Sequence, residues 1–314
     1  MQSRVAFGLA ALMALGVAGC SKSESSGQKW KRDGAEPIQV VCTTGMVADL
    51  VRNVGGDQVQ VTQLMAAGVD PHLYKTSTQD VSALNRADVV FYSGLHLEAN
   101  FVSVFNSLAK EKPVYAIADE LERWHHSRLL KSGGETYDPH IWFDVSLWKL
   151  TAKLVADRLG DFDPANARTY AANAAKYMAR LDALDAWCRG ELSAIPKSQR
   201  VLVTAHDAFS YFGKAYGVEV KAIQGVSTEA QASIKHVEEL IADMVKHKIK
   251  AVFVESSVKH DSIKQLVEGC AAKGHTVTRG GELFSDAMGK EGTPEGTYEG
   301  MIRHNVTTIV KALK

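Results

Sequence analysis

One stretch of this chain admits few folds. Between Pro164 and Pro196 there is no proline, and the first glycine after Pro164 is Gly190. Within it Tyr170, Ala174, Tyr177, Leu181, Leu184 and Cys188 recur at three- and four-residue steps, the spacing of one apolar helical face. Asp163 suits an N-cap and Pro164 the first helical position. A helix of about 30 residues is about 45 Å long, more than one small domain needs. Residues 163–194 are therefore expected to form a rigid strut joining two bodies.

The flanking sequence fits that division. From Ile38, β-branched runs at 38–43, 58–64, 88–93 and 113–116 alternate with helical patterns at 47–54, 77–86 and 100–110, and a further helix is expected at 146–159. After Pro196 the alternation resumes, with strands expected at 201–204, 218–223, 251–255 and 275–278. Helices are expected at 208–216, 228–246, 262–272 and 295–313. Such alternation implies βαβ units and parallel sheets. The fold class is α/β, with one lobe over 37–162 and a second over 195–314.

The triplet Asp-Pro-His occurs twice, as Asp70-Pro71-His72 and Asp138-Pro139-His140, each with an aromatic two residues on (Tyr74, Trp142). A third histidine, His206, directly follows an apolar strand pattern. Imidazole is the commonest ligand for divalent transition metals, and a neighbouring proline restricts the backbone that aims it. In open parallel sheets, ligands bind beyond the carboxyl ends of the strands. His72, His206 and Asp286 fall in such loops, and His140 opens the element that leads into Trp142. If the lobes face each other, all four meet in the cleft. Any one of them alone reads equally well as a loop histidine or a helix-capping aspartate.

The N-terminus carries Arg4, an apolar run over 5–17 and Val17-Ala18-Gly19-Cys20. The run is too short to span a bilayer and reads as a secretory signal over 1–19. Its end resembles a bacterial lipobox, which implies cleavage before Cys20 and lipidation of that cysteine. Residues 20–36 are a polar tether. Lys plus Arg (36) equals Asp plus Glu (36), with no basic run interleaved with aromatics, so nucleic acid is not an expected partner. Cys42, Cys188 and Cys270 lack zinc-ligand spacing and read as buried small apolar residues.

Asp138-Pro139-His140-Ile141-Trp142-Phe143-Asp144, Thr204-Ala205-His206-Asp207-Ala208-Phe209, Gln224-Gly225-Val226-Ser227-Thr228 and Gly281-Glu282-Leu283-Phe284-Ser285-Asp286-Ala287-Met288-Gly289 closely resemble motifs of one family. This is the cluster A-I, TroA-like solute-binding proteins, the metal-binding lipoproteins of bacterial zinc and manganese ABC importers. The resemblance runs from about Ile38 to the C-terminus. It implies two four-stranded α/β lobes joined by one long helix, and His72, His140, His206 and Asp286 as metal ligands in the interlobe cleft. It also implies an extracytoplasmic, lipid-anchored receptor, expected as a monomer, that performs no chemistry and hands its metal to an ABC permease.

Three imidazoles and one carboxylate suit Zn²⁺, Mn²⁺ or Fe²⁺ better than Ca²⁺ or Mg²⁺. Zinc-specialised relatives often carry a long histidine-rich loop between the first two ligands. Here that interval holds only His96, His125 and His126, with the last two expected in a solvated loop. Many manganese-specialised relatives have glutamate where His206 stands. A site that accepts both metals is expected. Glu255, Asp144 and Asp207 are candidates to orient the ligand imidazoles. Two rival readings remain at this point. A zinc-dependent hydrolase would use an open coordination position, although no His-Glu-x-x-His motif is present. A surface adhesin would need only the anchor.

Overall fold

The computed structural model describes residues 30–32 and 36–314. The expected leader, Cys20 and most of the tether lie outside the described residues. The first lobe is built on a four-stranded parallel sheet of β1 (Ile38–Cys42), β2 (Val59–Gln63), β3 (Val89–Tyr92) and β4 (Val114–Ala116), in the order β2-β1-β3-β4. The central strand β1 is covered on both faces. Ile38, Val40 and Cys42 join the main core, while Val41 joins a satellite core with Leu84, Val90, Phe101 and Phe105. That is the period-two alternation of a strand buried on both sides.

Helices α1 (Gly45–Gly55), α2 (Thr78–Arg86) and α3 (Val102–Leu108) follow their strands as the alternation implies. α2 is started by a capping box, in which Ser77 accepts from the Asp80 N–H and the Asp80 side chain accepts from the Ser77 N–H. Two features were not anticipated. α4 (Ile117–His125) follows β4 directly, so His125 ends a helix and His126 begins a 3₁₀ turn instead of lying in a loop. A small antiparallel hairpin, β5 (Lys131–Gly133) and β6 (Thr136–Tyr137), leads to the second Asp-Pro-His triplet.

α5 (Val145–Phe162) and α6 (Ala167–Ser193) form the spine. All six residues of the expected apolar stripe are buried along α6, with Leu192 extending it. At 27 residues the helix is about 40 Å long. It starts later than the proline suggests, because Pro164–Asn166 form a 3₁₀ turn. The Asp163 carboxylate accepts from the Tyr170 hydroxyl (2.7 Å) and the Asn166 amide (2.8 Å), and it meets Arg32 at 3.7 Å, rather than capping a backbone N–H.

The second lobe holds β7 (Val201–His206), α7 (Ser210–Tyr216), β8 (Glu219–Gln224), α8 (Ile234–His247), β9 (Ala251–Glu255), α9 (Asp261–Ala272), β10 (Thr278–Leu283) and α10 (Tyr298–Leu313). Its four strands are hydrogen-bonded as two parallel pairs, β7 with β8 and β9 with β10. β7 and β9 lie side by side without a regular ladder. The last strand lies at 278–283, not 275–278. Gly280 and Gly281 obscure it in the sequence, and both are needed. A side chain at Gly280 would strike Phe253, and Gly281 has φ +135° at a register irregularity.

The main core is continuous through both lobes, from Val40 and Leu50 through Tyr177 and Leu184 on α6 to Phe253, Ile302 and Ile309. Cys42, Cys188 and Cys270 are buried and unbridged. No helix among the described residues is long and apolar enough to cross a membrane. Because Leu181 is fully buried at the middle of the spine, Leu181→Ala should destabilise the whole molecule by roughly 2–5 kcal/mol. Urea unfolding should show this as one lowered midpoint at unchanged slope. Loss of a single lobe's transition would contradict the continuous core.

Candidate metal centre

The two Asp-Pro-His triplets do the same local job. In each, the aspartate Oδ1 accepts the N–H of its own histidine, two residues on, at 2.9 Å (Asp70 to His72, Asp138 to His140). This Asx turn fixes the loop that presents the ring. The sequence pattern pointed to the proline, but the aspartate is the residue that makes the bond.

His72, His140, His206 and Asp286 come together, each nearly or fully buried. Each offers one potential ligand atom, and these atoms all lie within 4.8 Å of one another. Asp286 Oδ1 lies 3.2 Å from His140 Nε2, and Oδ2 lies 3.1 Å from His206 Nε2 and 3.7 Å from His72 Nε2. His72 Nε2 and His140 Nε2 are 3.4 Å apart. Close as they are, both Asp286 oxygens and His206 Nε2 lack an aligned hydrogen-bond partner. Buried polar atoms are almost always paired, and a cluster of unpaired acceptors is the pattern an ion completes.

Carboxylates hold two rings from behind. His140 Nδ1 is hydrogen-bonded to Asp138 Oδ1 at 2.7 Å, and His206 Nδ1 lies 2.5 Å from Glu255 Oε2, an ion-pair contact without hydrogen-bond alignment. A carboxylate behind Nδ1 keeps a proton there, so that when the ring loses its second proton it is the Nε2 lone pair that faces the centre. Glu255 Oε1 also accepts the N–H groups of Ala205 (2.7 Å) and His206 (2.9 Å). The last residue of β9 thus takes up donors of β7 where no ladder joins the strands.

The proposed partners Asp144 and Asp207 do other work. Asp144 caps α5 through the Leu147 N–H and pairs with Arg128 at 2.8 Å, and Asp207 accepts from the Ser210 hydroxyl at 2.7 Å. Asp138, which the sequence reading passed over, stands behind His140. Its signal was the triplet itself. Trp142 rests edge-on against His140, and its indole N–H reaches the Ser285 carbonyl at 3.1 Å. His236, His275 and His304 bond backbone carbonyls elsewhere, and His125 lines a separate groove between α4, α5 and α6.

The electrostatics favour a cation. Burial opposes charge on His140, but Asp138 and Asp286 outweigh it and push its pKa up to about 9. His206 is likewise buried, yet Asp286 and Glu255 raise it well above the ordinary imidazole value. Burial also works against the Asp286 charge, but His206 and His140 hold its pKa well below the usual carboxylate range. His72 differs, because burial lowers it to about 4 against the weaker pull of Asp286. In the metal-free site, protons on His140 and His206 stand where an ion would.

Comparison with known proteins places this geometry. The model of the ZnuA family, described as zinc-uptake complex component A, periplasmic, matches residues 40–312. The chain belongs to the ZnuA family. It is 46% identical over 299 residues to the manganese-binding lipoprotein MntA of Bacillus subtilis, covering 95% of each chain. It is also 43% identical over 304 residues to the zinc-binding protein TroA of Treponema pallidum, covering 97% of each. The solved structure of TroA superposes with a TM-score of 0.85 at 45% identity, over 88% of this chain and 99% of that one. The Fe(III)-bound YtgA of Chlamydia trachomatis has a TM-score of 0.80 at 27% identity, over 88% and 98%. The two parallel-sheet lobes on one long helix are thus the fold of these ZnuA-family proteins.

Glu255→Gln keeps an oxygen for the Ala205 and His206 N–H groups but turns an amide toward His206 Nδ1. That favours the tautomer with its proton on Nε2. Affinity for Zn²⁺, measured by competition with a chromophoric chelator, should fall roughly 10–100-fold while circular dichroism stays unchanged. Unaltered affinity would remove Glu255 from the site.

Proposed function

We propose that this chain is an extracytoplasmic receptor that captures Mn²⁺ or Zn²⁺ through His72, His140, His206 and Asp286 and delivers it to an ABC permease. The observation that carries the reading is the buried cluster of imidazole nitrogens and carboxylate oxygens, in which both Asp286 oxygens and His206 Nε2 have no aligned hydrogen-bond partner. Relatives named for manganese and for zinc support both cargoes, and the relative solved with Fe(III) adds iron to the range. The donor set agrees. Nitrogen-rich sites hold Zn²⁺ more tightly than Mn²⁺ unless geometry intervenes, and the two oxygens of Asp286 allow four or five coordination.

Asp138, Glu255 and Asp286 carry three formal negative charges around three neutral imidazoles. A divalent ion that replaces the protons of His140 and His206 keeps that buried set within one charge of neutrality. Lipidation at Cys20 would hold the protein, as a monomer, at the membrane face beside its permease. The work is binding and release, with no bond made or broken in the cargo. Family membership favours this over hydrolysis, and the four converging residues give an adhesin reading nothing to explain.

His140→Ala should lower affinity by more than the roughly 10–100-fold expected when only a supporting residue is changed. Titration curves equal to wild type would remove the four-residue assignment. A ligand that binds only the folded state adds about 4 kcal/mol at a thousandfold excess over its dissociation constant. Metal should therefore raise Tm clearly in wild type and not in His206→Ala, while the metal-free protein stays folded on its continuous core.

The pH dependence has a definite sign. His140 and His206 hold protons when metal-free, with pKa values above ordinary, and must lose them to bind. His72, at about 4, is already neutral. Lowering pH therefore favours the metal-free state, and affinity should fall about a hundredfold per unit between about pH 6.5 and 5 and still be falling, by about tenfold per unit or more, at pH 7.5–8. Three imidazoles near their ordinary value of about 6.5 would instead give a flat profile above pH 7.5 and a steeper one below 6. Isotherms across pH 5–8 separate the two, and a flat profile throughout contradicts histidine ligation.

A further inference from the structure

The four converging residues are not mounted alike. His206 and Asp286 belong to the second lobe, and His140 is tied to it although its own segment precedes the spine. The Trp142 indole donates to Ser285 O (3.1 Å), the Tyr298 hydroxyl of α10 donates to Trp142 O (2.7 Å), and the Tyr211 hydroxyl of α7 donates to Asp138 O (3.0 Å). Asn305 of α10 takes both the N–H and the C=O of Phe284, two residues before Asp286. Trp142, Ser285, Tyr298, Tyr211, Asp138 and Asn305 are buried, and Phe284 is partly buried. His140, His206 and Asp286 therefore sit on one rigid platform.

His72 does not share it. Its loop is held to its own lobe by Asn100, whose amide donates to the carbonyls of His72 and Tyr74. Apart from the contacts of the His72 ring itself with His140 (3.4 Å) and Asp286 (3.7 Å), one hydrogen bond among the described residues joins that loop to the second lobe, from the Thr228 hydroxyl to Asp70 Oδ2, at 2.7 Å. Here the two triplets diverge. Asp138 uses its carboxylate on its own histidine's ring, whereas Asp70 reaches across the cleft. His72 is also the member of the four that lines a solvent-facing cleft of about 330 Å³, with Val226 and Ser227 on its far wall. The main core runs unbroken through both lobes, so parting the lobes as whole bodies would open that core. Moving the His72 loop breaks the Thr228–Asp70 bond and the His72 ring's own contacts at the site.

We propose that Thr228 is a latch on metal release, and that the ion leaves when the Thr228–Asp70 bond opens and the His72 loop withdraws, while His140, His206 and Asp286 keep their places. The inference rests on the four-residue metal site proposed above. Thr228 touches no ligand ring, so it is a positioning residue that acts through Asp70.

The test is stopped-flow release of Zn²⁺ from the loaded full-length protein into excess chelator. Thr228→Val keeps the shape and removes the hydroxyl. Losing a hydrogen bond to a carboxylate should speed release about tenfold or more. Thr228→Ser restores the hydroxyl and should release at the wild-type rate, which a merely structural loss would not predict. If the valine variant fails to fold, Thr228→Ala reads the same loss. Hydrogen exchange of the wild-type protein with and without Zn²⁺ should show protection lost over 66–76 and 225–233 and retained over 138–143 and 284–288. Wild-type release rates in the valine or alanine variant, or a serine variant as fast as valine, would overturn the latch while leaving the site intact. So would exposure of 138–143 on metal removal. A wild-type protein that binds no Zn²⁺ would remove the site as well.

Discussion

Two oxygens of a buried carboxylate face three imidazole nitrogens, an arrangement that needs positive charge at its centre, whether protons on the rings or a cation. The surrounding structure makes it possible. Asp138 and Glu255 keep the lone pairs of His140 and His206 directed inward. The tyrosines and asparagine of α7 and α10 bind the backbone on which those rings and Asp286 are carried. Folding supplies the energy to hold this buried polar set, because the apolar core beneath it is continuous and large. An ion then recovers part of that energy on binding, which is the physical content of selective capture.

The spine explains how a site split between lobes stays assembled. An apolar stripe from Tyr170 to Leu192 gives α6 contact with α1 and α5 on one side and α10 on the other. The main core is therefore shared by the two lobes, although each also has a smaller core of its own, and their relative position is set by packing. Only the loops at the strand ends are left to respond to the ligand, consistent with a release step confined to the His72 loop.

Much of this was legible in the sequence where a strict period or a repeated motif spoke. The long helix followed from the uninterrupted three- and four-residue spacing, and β1, β3, β7 and β9 from β-branched runs buried on both faces. The four converging residues followed from the repeated triplet, from positions after strands, and, for Asp286, from family resemblance. What stayed hidden depended on tertiary partners. β10 carries Gly280 and Gly281 because Phe253 and Thr308 crowd its backbone, and this erased its strand signature. α4 is short and strongly charged, with its apolar side limited to Ile117, Ala118 and Leu121. Asp144 and Asp207 stood next to ligand candidates in sequence but bond away from them, whereas Asp138 sat inside a motif whose proline drew the attention. Proximity along the chain does not say which way a carboxylate turns.

The claim at the centre is that three imidazoles and one carboxylate bind one ion. X-ray absorption at the zinc edge of the stoichiometrically loaded protein tests it directly. The account predicts a first shell of nitrogen and oxygen at about 2.0–2.2 Å, with the outer-shell scattering of three imidazoles, falling to two in His72→Ala. A shell containing sulfur, or one of oxygen alone without imidazole scattering, would contradict it.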